Sequence, residues 1–155
     1  MAAIPKGKII KILATGFGSG LSPVAPGTAG TLVGIVICSL CYPLTWPLRV
    51  LFVVAISAVS IYVAGQAETL YGKTDDQRIV IDEIAGVQVA MLPVEITVLH
   101  LCMAFVLFRI FDIWKPFPVN RLQNLPGGWG VVADDLGAGI YAGLALLLLT
   151  FTGVL

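Results

Sequence analysis

The 155-residue chain is 58% hydrophobic and only 12% charged, with zero net charge and a mean hydropathy of +0.98. Soluble domains carry about 25% charged residues, so this composition predicts an integral membrane protein, one domain covering residues 1–155. A neutral chain without a basic patch excludes nucleic acid as a partner. The three cysteines, Cys38, Cys41 and Cys102, lie in apolar runs away from the only histidine, His100, and suit core packing better than a disulfide or a metal site.

In chain order, Met1–Lys11 reads as a short basic lead with Lys6, Lys8 and Lys11 and no pattern of a removable signal peptide. Thr15–Leu32, "TGFGSGLSPVAPGTAGTL", reads as a glycine- and proline-rich loop whose end opens a first helix near Thr28 or Ala29, ending by Pro43. A second helix is expected from about Leu48 to Leu70, then a polar loop over Tyr71–Val80. Asp82–Met91 is apolar enough for a helix, but at about 15 Å it covers only half a bilayer. Pro93 breaks it, and a return helix follows to about Asp112. After a polar loop over Trp114–Ala133, a last helix runs from about Asp134 to the C-terminus. The expected fold is therefore an all-α membrane bundle of four to five helices, with a short or re-entrant helix broken near Pro93. Backbone broken at membrane depth is tolerated only where protein or a cavity covers it.

Charge sets the orientation. With the N-terminus in the cytoplasm, Lys6, Lys8, Lys11, Lys73, Arg78, Arg109, Lys115 and Arg121 fall on the cytoplasmic side and Arg49 alone falls outside, as the positive-inside rule favours. This topology brings the glycine-rich loop, Asp75–Glu83, Arg109–Lys115 and Asp134–Asp135 to one membrane face. Asp82 and Glu83 are expected to open one helix, and Asp134 and Asp135 another. Acids at a helix start can be simple caps. Two such pairs beside Asp75 and Asp112 at one level read better as a site, because ionised groups near hydrocarbon are paired or functional. Clustered carboxylates without thiol or imidazole suit a hard cation such as Mg²⁺. Arg109 and Asp112, three apart, share a helix face. Arg109 and Lys115 beside the carboxylates are what a phosphate and a metal together need. Ser19, Ser22 and Thr28 in the glycine-rich loop could add hydroxyl and backbone N–H donors to a phosphate, although a plain turn explains that loop equally well.

Other phosphatase chemistries lack their residues. One histidine cannot supply both nucleophile and base, Cys102 to Arg109 misses the C-x5-R spacing, and neither D-x-D nor D-G-x-x-A-R occurs. A carrier or ion-binding protein built on the broken helix at Pro93 and Glu95 remains an alternative. A soluble helical bundle is disfavoured by the uncharged C-terminal run.

The blocks "GFGSGLSPVAPGTAGTL" (Gly16–Leu32), "IVIDEIAG" (Ile79–Gly86), "FRIFDIWKPFP" (Phe108–Pro118) and "GGWGVVADDLGAG" (Gly127–Gly139) occur in an order that resembles the phosphatidylglycerophosphatase A family. The resemblance implies a Mg²⁺-dependent, multi-pass phosphatase of the bacterial inner membrane. It would hydrolyse phosphatidylglycerophosphate to phosphatidylglycerol and phosphate on the cytoplasmic side. On that reading Asp82, Glu83, Asp134 and Asp135 bind metal, and Asp112 orients Arg109 or acts as base. Arg109, Lys115, Ser19, Ser22 and Thr28 hold the phosphate.

Overall fold

The computed structural model describes residues 6–41 and 43–153, and every regular element among them is helical. The five expected helices are present as α2 (Pro26–Leu40), α3 (Trp46–Tyr71), α4 (Ile81–Met91), α5 (Val98–Trp114) and α7 (Gly128–Phe151). Two short helices join them, α1 (Lys6–Ala14) and α6 (Val119–Leu122), with a 3₁₀ turn over Gly16–Leu21. The basic lead is thus largely helical from Lys6 onward, and Met1–Pro5 lie outside the described residues. Of these helices, α3 and α7 are long and apolar enough to cross a membrane.

Local chemistry sets the boundaries. Pro26 begins α2 and Pro47 lies in the first turn of α3, where a missing N–H costs nothing. Gly72 ends α3 in the left-handed conformation (φ 65°), its N–H donating to the Glu68 carbonyl at 2.8 Å. The break after α4 is closed from a distance: Nη2 of Arg49, on α3, donates to the Met91 carbonyl at 2.5 Å and the Val94 carbonyl at 3.0 Å. Those carbonyls are left over where a helix stops. Thr97 then caps α5 by accepting from His100 N–H, while Glu95 is exposed.

The short helix α4 is the axis of the molecule. Nine of its residues are buried, all but Glu83 and Val89, and it packs chiefly on α7 and also on α2, α3 and α5. At 11 residues it is too short to cross a bilayer alone, and other helices enclose it. Helices in lipid gain little from the hydrophobic effect against one another, so close packing of small residues must supply the contact. The α4–α7 seam follows that rule with Gly86 and Ala90 facing Ala138, Gly139, Ala142 and Gly143. Buried polar groups tie the remaining neighbours. Gln88 Nε2 donates to the Gly34 carbonyl at 2.8 Å, and Ser60 Oγ to the Ile81 carbonyl at 3.2 Å. Outward faces are apolar, with Leu51, Val54, Val106, Ile110, Leu144 and Leu148 all exposed.

One boundary corrects the sequence reading. Helix α7 starts at Gly128, not at Asp134, so Asp134 and Asp135 lie in its second turn and cap nothing. "GGWG" has poor helix propensity, but tertiary packing overrides it: a Cβ at Gly128 would collide with the Ile61 carbonyl of α3. Likewise, a Cβ at Gly139 would strike the Gly86 carbonyl across the α4–α7 seam. Gly139→Val is therefore expected to destabilise the bundle by about 1–3 kcal/mol, read as a lowered Tm in detergent; an unchanged Tm would contradict this packing.

Candidate active site

The start of α4 is where charge gathers. Asp82 and Glu83 occupy its first turn, favourable for anions at a helix N-terminus. The rest of the helix fixes them, because it is packed on all sides. Across the seam, Asp135 of α7 reaches the same point: Asp82, Glu83 and Asp135 each bring a carboxylate oxygen to within 4.8 Å of the others. Asp82 and Asp135 are buried, and Glu83 is half-buried.

From the other side come the cations. Helix α5 continues to Trp114, so Arg109 and Asp112 do share a face, and Arg109 Nη1 lies 2.5 Å from Asp112 Oδ2 and 3.8 Å from Glu83 Oε1. Lys115 ends that helix in the left-handed conformation (φ 44°) directly before Pro116. This turn sends its ammonium group to Asp134, with which it forms an ion pair. Partial burial is the largest single influence on Lys115 and works against its charge, but the hydrogen bond to Asp134 together with the attraction of Asp134, Asp135 and Asp112 raises its pKa above the ordinary value. Lys115 is therefore tied into the site and is not merely a side chain seeking water at a helix end.

These groups line one cleft of about 340 Å³ that also includes Asp75, Gln77, Ile79, Val131 and the opening of α2 at Ala25, Pro26 and Gly27. Six carboxylates face two cations there. Glu83 Oε2, Asp134 Oδ1 and Asp135 Oδ2 are buried without any hydrogen-bond donor, and so is Arg109 Nε without an acceptor. Uncompensated buried carboxylate oxygens are costly. An all-oxygen set with spare lone pairs fits a hard divalent cation, and a free guanidinium N–H fits an anion's oxygen. Asp134 differs from the other three proposed ligands, since one of its oxygens is committed to Lys115.

The loop hydroxyls lie elsewhere. Ser19 Oγ donates to the Gly16 carbonyl at 2.9 Å within the 3₁₀ turn, and Ser22 Oγ, just past that turn, donates to the Val24 carbonyl at 2.8 Å. Neither serine lines the cleft, nor does Thr28; the neighbouring Gly27 does. Gly27 was missed by residue chemistry, having none, and "PGT" at a helix start is the only signal for it. A Cβ there would collide with Glu83 Oε1 and sit 3.2 Å from Arg109 Nη1. Asp76 was also passed over. It is buried, and its hydrogen bonds with Arg78 hold its carboxyl below the usual carboxylate range.

Buried carboxylates able to hold a cation, opposed by two fixed cations able to hold an anion, make this a helical bundle suited to phosphate esters. The comparisons with known proteins agree. Residues 12–150 match the family model described as phosphatidylglycerophosphatase A. The chain is 38% identical over 131 residues to phosphatidylglycerophosphatase A of Escherichia coli, covering 83% of this chain and 76% of that protein. It is 37% identical over 139 residues to the Haemophilus influenzae protein of the same name, covering 86% and 83%. A Bacteroides thetaiotaomicron protein named "Putative phosphatidylinositol-3-phosphatase" is 41% identical over 140 residues, covering 84% and 87%. No solved structure matches. The chain belongs to the phosphatidylglycerophosphatase A family and is a phosphoric monoester hydrolase.

Gly27→Ala keeps every charged residue but displaces Glu83 or Arg109. It is expected to lower phosphatase activity about 10- to 100-fold with an unchanged Tm; full activity would show that the close approach of α2 is dispensable.

Proposed function

We propose that the cleft hydrolyses the phosphomonoester of phosphatidylglycerophosphate, with Mg²⁺, at the cytoplasmic face of a bacterial inner membrane that the chain crosses several times. The observation that carries this reading is the set of buried carboxylate oxygens without donors, facing Arg109 and Lys115 across one cleft. Asp82, Glu83 and Asp135 are the ligand set, with the free oxygen of Asp134 alongside. A divalent ion held by these residues would supply Lewis-acid chemistry, polarising the phosphoryl oxygens and lowering the pKa of bound water.

The chain's own residues account for the rest. Arg109 presents its free Nε to a phosphate oxygen, and Asp112 fixes the guanidinium by its short ion pair. Lys115, anchored on Asp134, offsets negative charge as the ester bond breaks. A carboxylate of the cluster takes a proton from the water as its oxygen bonds to phosphorus, the P–O ester bond breaks, and the same carboxyl group returns that proton to the leaving alkoxide, giving the product alcohol and phosphate. Asp112, which the sequence reading allowed as a base, is committed to Arg109, so orientation is its better role.

Substrate shape supports a lipid. Arg109 borders both the charged cleft and an apolar groove along α5, formed by Phe105, Val106, Ile110, Ile113 and Trp114. A phosphate held by Arg109 would therefore have its acyl chains on that groove. The orientation follows the positive-inside rule. Lys115, Arg109 and Arg78 gather at the Asp82 end of the bundle, whereas Arg49 lies at the Met91 end of α4.

The test is phosphate release from phosphatidylglycerophosphate and from phosphatidylinositol 3-phosphate, with Mg²⁺ and with EDTA. The expected result is Mg²⁺-dependent release, faster with phosphatidylglycerophosphate, and a loss of about 100-fold or more in Asp82→Asn with the fold retained. EDTA-resistant release would overturn the metal, and faster release from the inositol lipid would overturn the substrate. Val106→Trp is expected to slow hydrolysis of the long-chain lipid about tenfold and to spare a water-soluble short-chain ester; equal slowing of both would overturn the groove assignment.

A further inference from the structure

The loop between α3 and α4 separates two cavities. Asp75, Gln77 and Ile79 line the carboxylate cleft, whereas Arg78 lines a second pocket with Lys8 and Lys11 of α1, Phe17 and Leu21 of the 3₁₀ turn, and Tyr71. The phosphatase reading gives the residues of this second pocket no part in binding or hydrolysing the substrate. Asp76 holds Arg78 in place, accepting from its Nε at 2.7 Å and its Nη2 at 3.1 Å. The guanidinium carbon lies 4.0 Å from the Tyr71 ring centroid and Lys11 Nζ lies 5.7 Å from it. Among the described residues no carboxylate comes within ion-pair distance of Lys8 or Lys11. The pocket thus carries two uncompensated cations and a third fixed in orientation.

Its other wall is apolar and deliberately held outward. Phe17 is 70% exposed and Leu21 64% exposed. Phe17 has φ 57°, a conformation that bulky side chains seldom adopt. It is kept there by an ordered turn in which the Thr15 carbonyl accepts from Gly18 N–H at 3.0 Å and Gly20 N–H at 2.9 Å. On α1 itself, Ile9, between Lys8 and Lys11, and Ile12, next after Lys11, are exposed. A basic amphipathic helix of this kind lies at a membrane interface.

We propose that this pocket binds the headgroup phosphate of an anionic diacyl phospholipid, at a site separate from the carboxylate cleft, with the acyl chains against Phe17 and Leu21. Free phosphate would meet the cations but leave the apolar wall bare. A zwitterionic lipid would cover the wall but bring a positive group to three cations. Only a lipid with net negative charge satisfies both surfaces. The proposal does not rest on the phosphatase reading.

The full-length protein in phosphatidylcholine nanodiscs is photolabelled with a trace of phosphatidylglycerol carrying a diazirine in one acyl chain, and labelled peptides are mapped. Label is expected within residues 8–21 and to fall at least fivefold in Lys8→Gln/Lys11→Gln/Arg78→Gln, while label on α5 stays constant. Because Arg78 also holds Asp76, Lys8→Gln/Lys11→Gln is made alongside, and its label is expected to fall at least twofold at unchanged Tm. Unlabelled phosphatidylglycerol should compete, and inorganic phosphate should not. Undiminished label in the double variant, equal label from a phosphatidylcholine probe, or competition by inorganic phosphate would each overturn the proposal.

Discussion

Negative charge buried at the start of α4 is the constraint on which the rest of this structure depends. Asp82, Glu83 and Asp135 meet where three carboxylates cannot all be left ionised and unpartnered without a large cost. The molecule answers only in part. Arg109 and Lys115 approach, but each is committed to a further carboxylate, Asp112 or Asp134. What remains is a cluster still short of positive charge, built on a helix too well packed to move away. A site that is rigid and under-compensated is suited to receiving a cation, and its free Arg109 Nε to receiving an anion.

The unusual length of α4 follows from the same requirement. A helix of 11 residues cannot cross a bilayer by itself. Enclosed by α2, α3, α5 and α7, it places its N-terminal carboxylates at one end of the bundle without exposing broken backbone to hydrocarbon. The cost appears at its other end, where Met91 and Val94 leave carbonyls that Arg49 must satisfy. Arg49, which the topology set apart as the sole basic residue outside, therefore has a structural task. Pro93 and Glu95, the features that suggested a carrier, belong to a turn that is closed by Arg49 and leaves Glu95 exposed.

Much of this was legible beforehand, for identifiable reasons. Uncharged runs locate helices because lipid tolerates few charges, and the positive-inside rule then brings distant carboxylates to one face. Helix starts were less legible. Gly128 begins α7 only because α3 comes so close that a side chain would not fit, and contact between distant segments cannot be read from local propensity. The same ambiguity affected the glycine-rich loop. Its serines offered hydroxyls, but the chain closes those hydroxyls onto its own carbonyls. Gly27, chemically blank, is the part that reaches the cleft. Asp76 and Arg78 had no pattern to mark them, since their pairing is visible only in three dimensions.

The most direct test of the central claim is cation binding itself, independent of turnover. Mn²⁺ titrated into the purified protein and followed by electron paramagnetic resonance reports a bound ion whether or not lipid is present. The account predicts saturable binding that is lost or weakened at least tenfold in Asp82→Asn and in Asp135→Asn, and retained in Glu95→Gln, which removes an exposed carboxylate elsewhere in the chain. Saturable binding of equal strength in all four proteins would place the ion away from the carboxylate cluster and contradict the account.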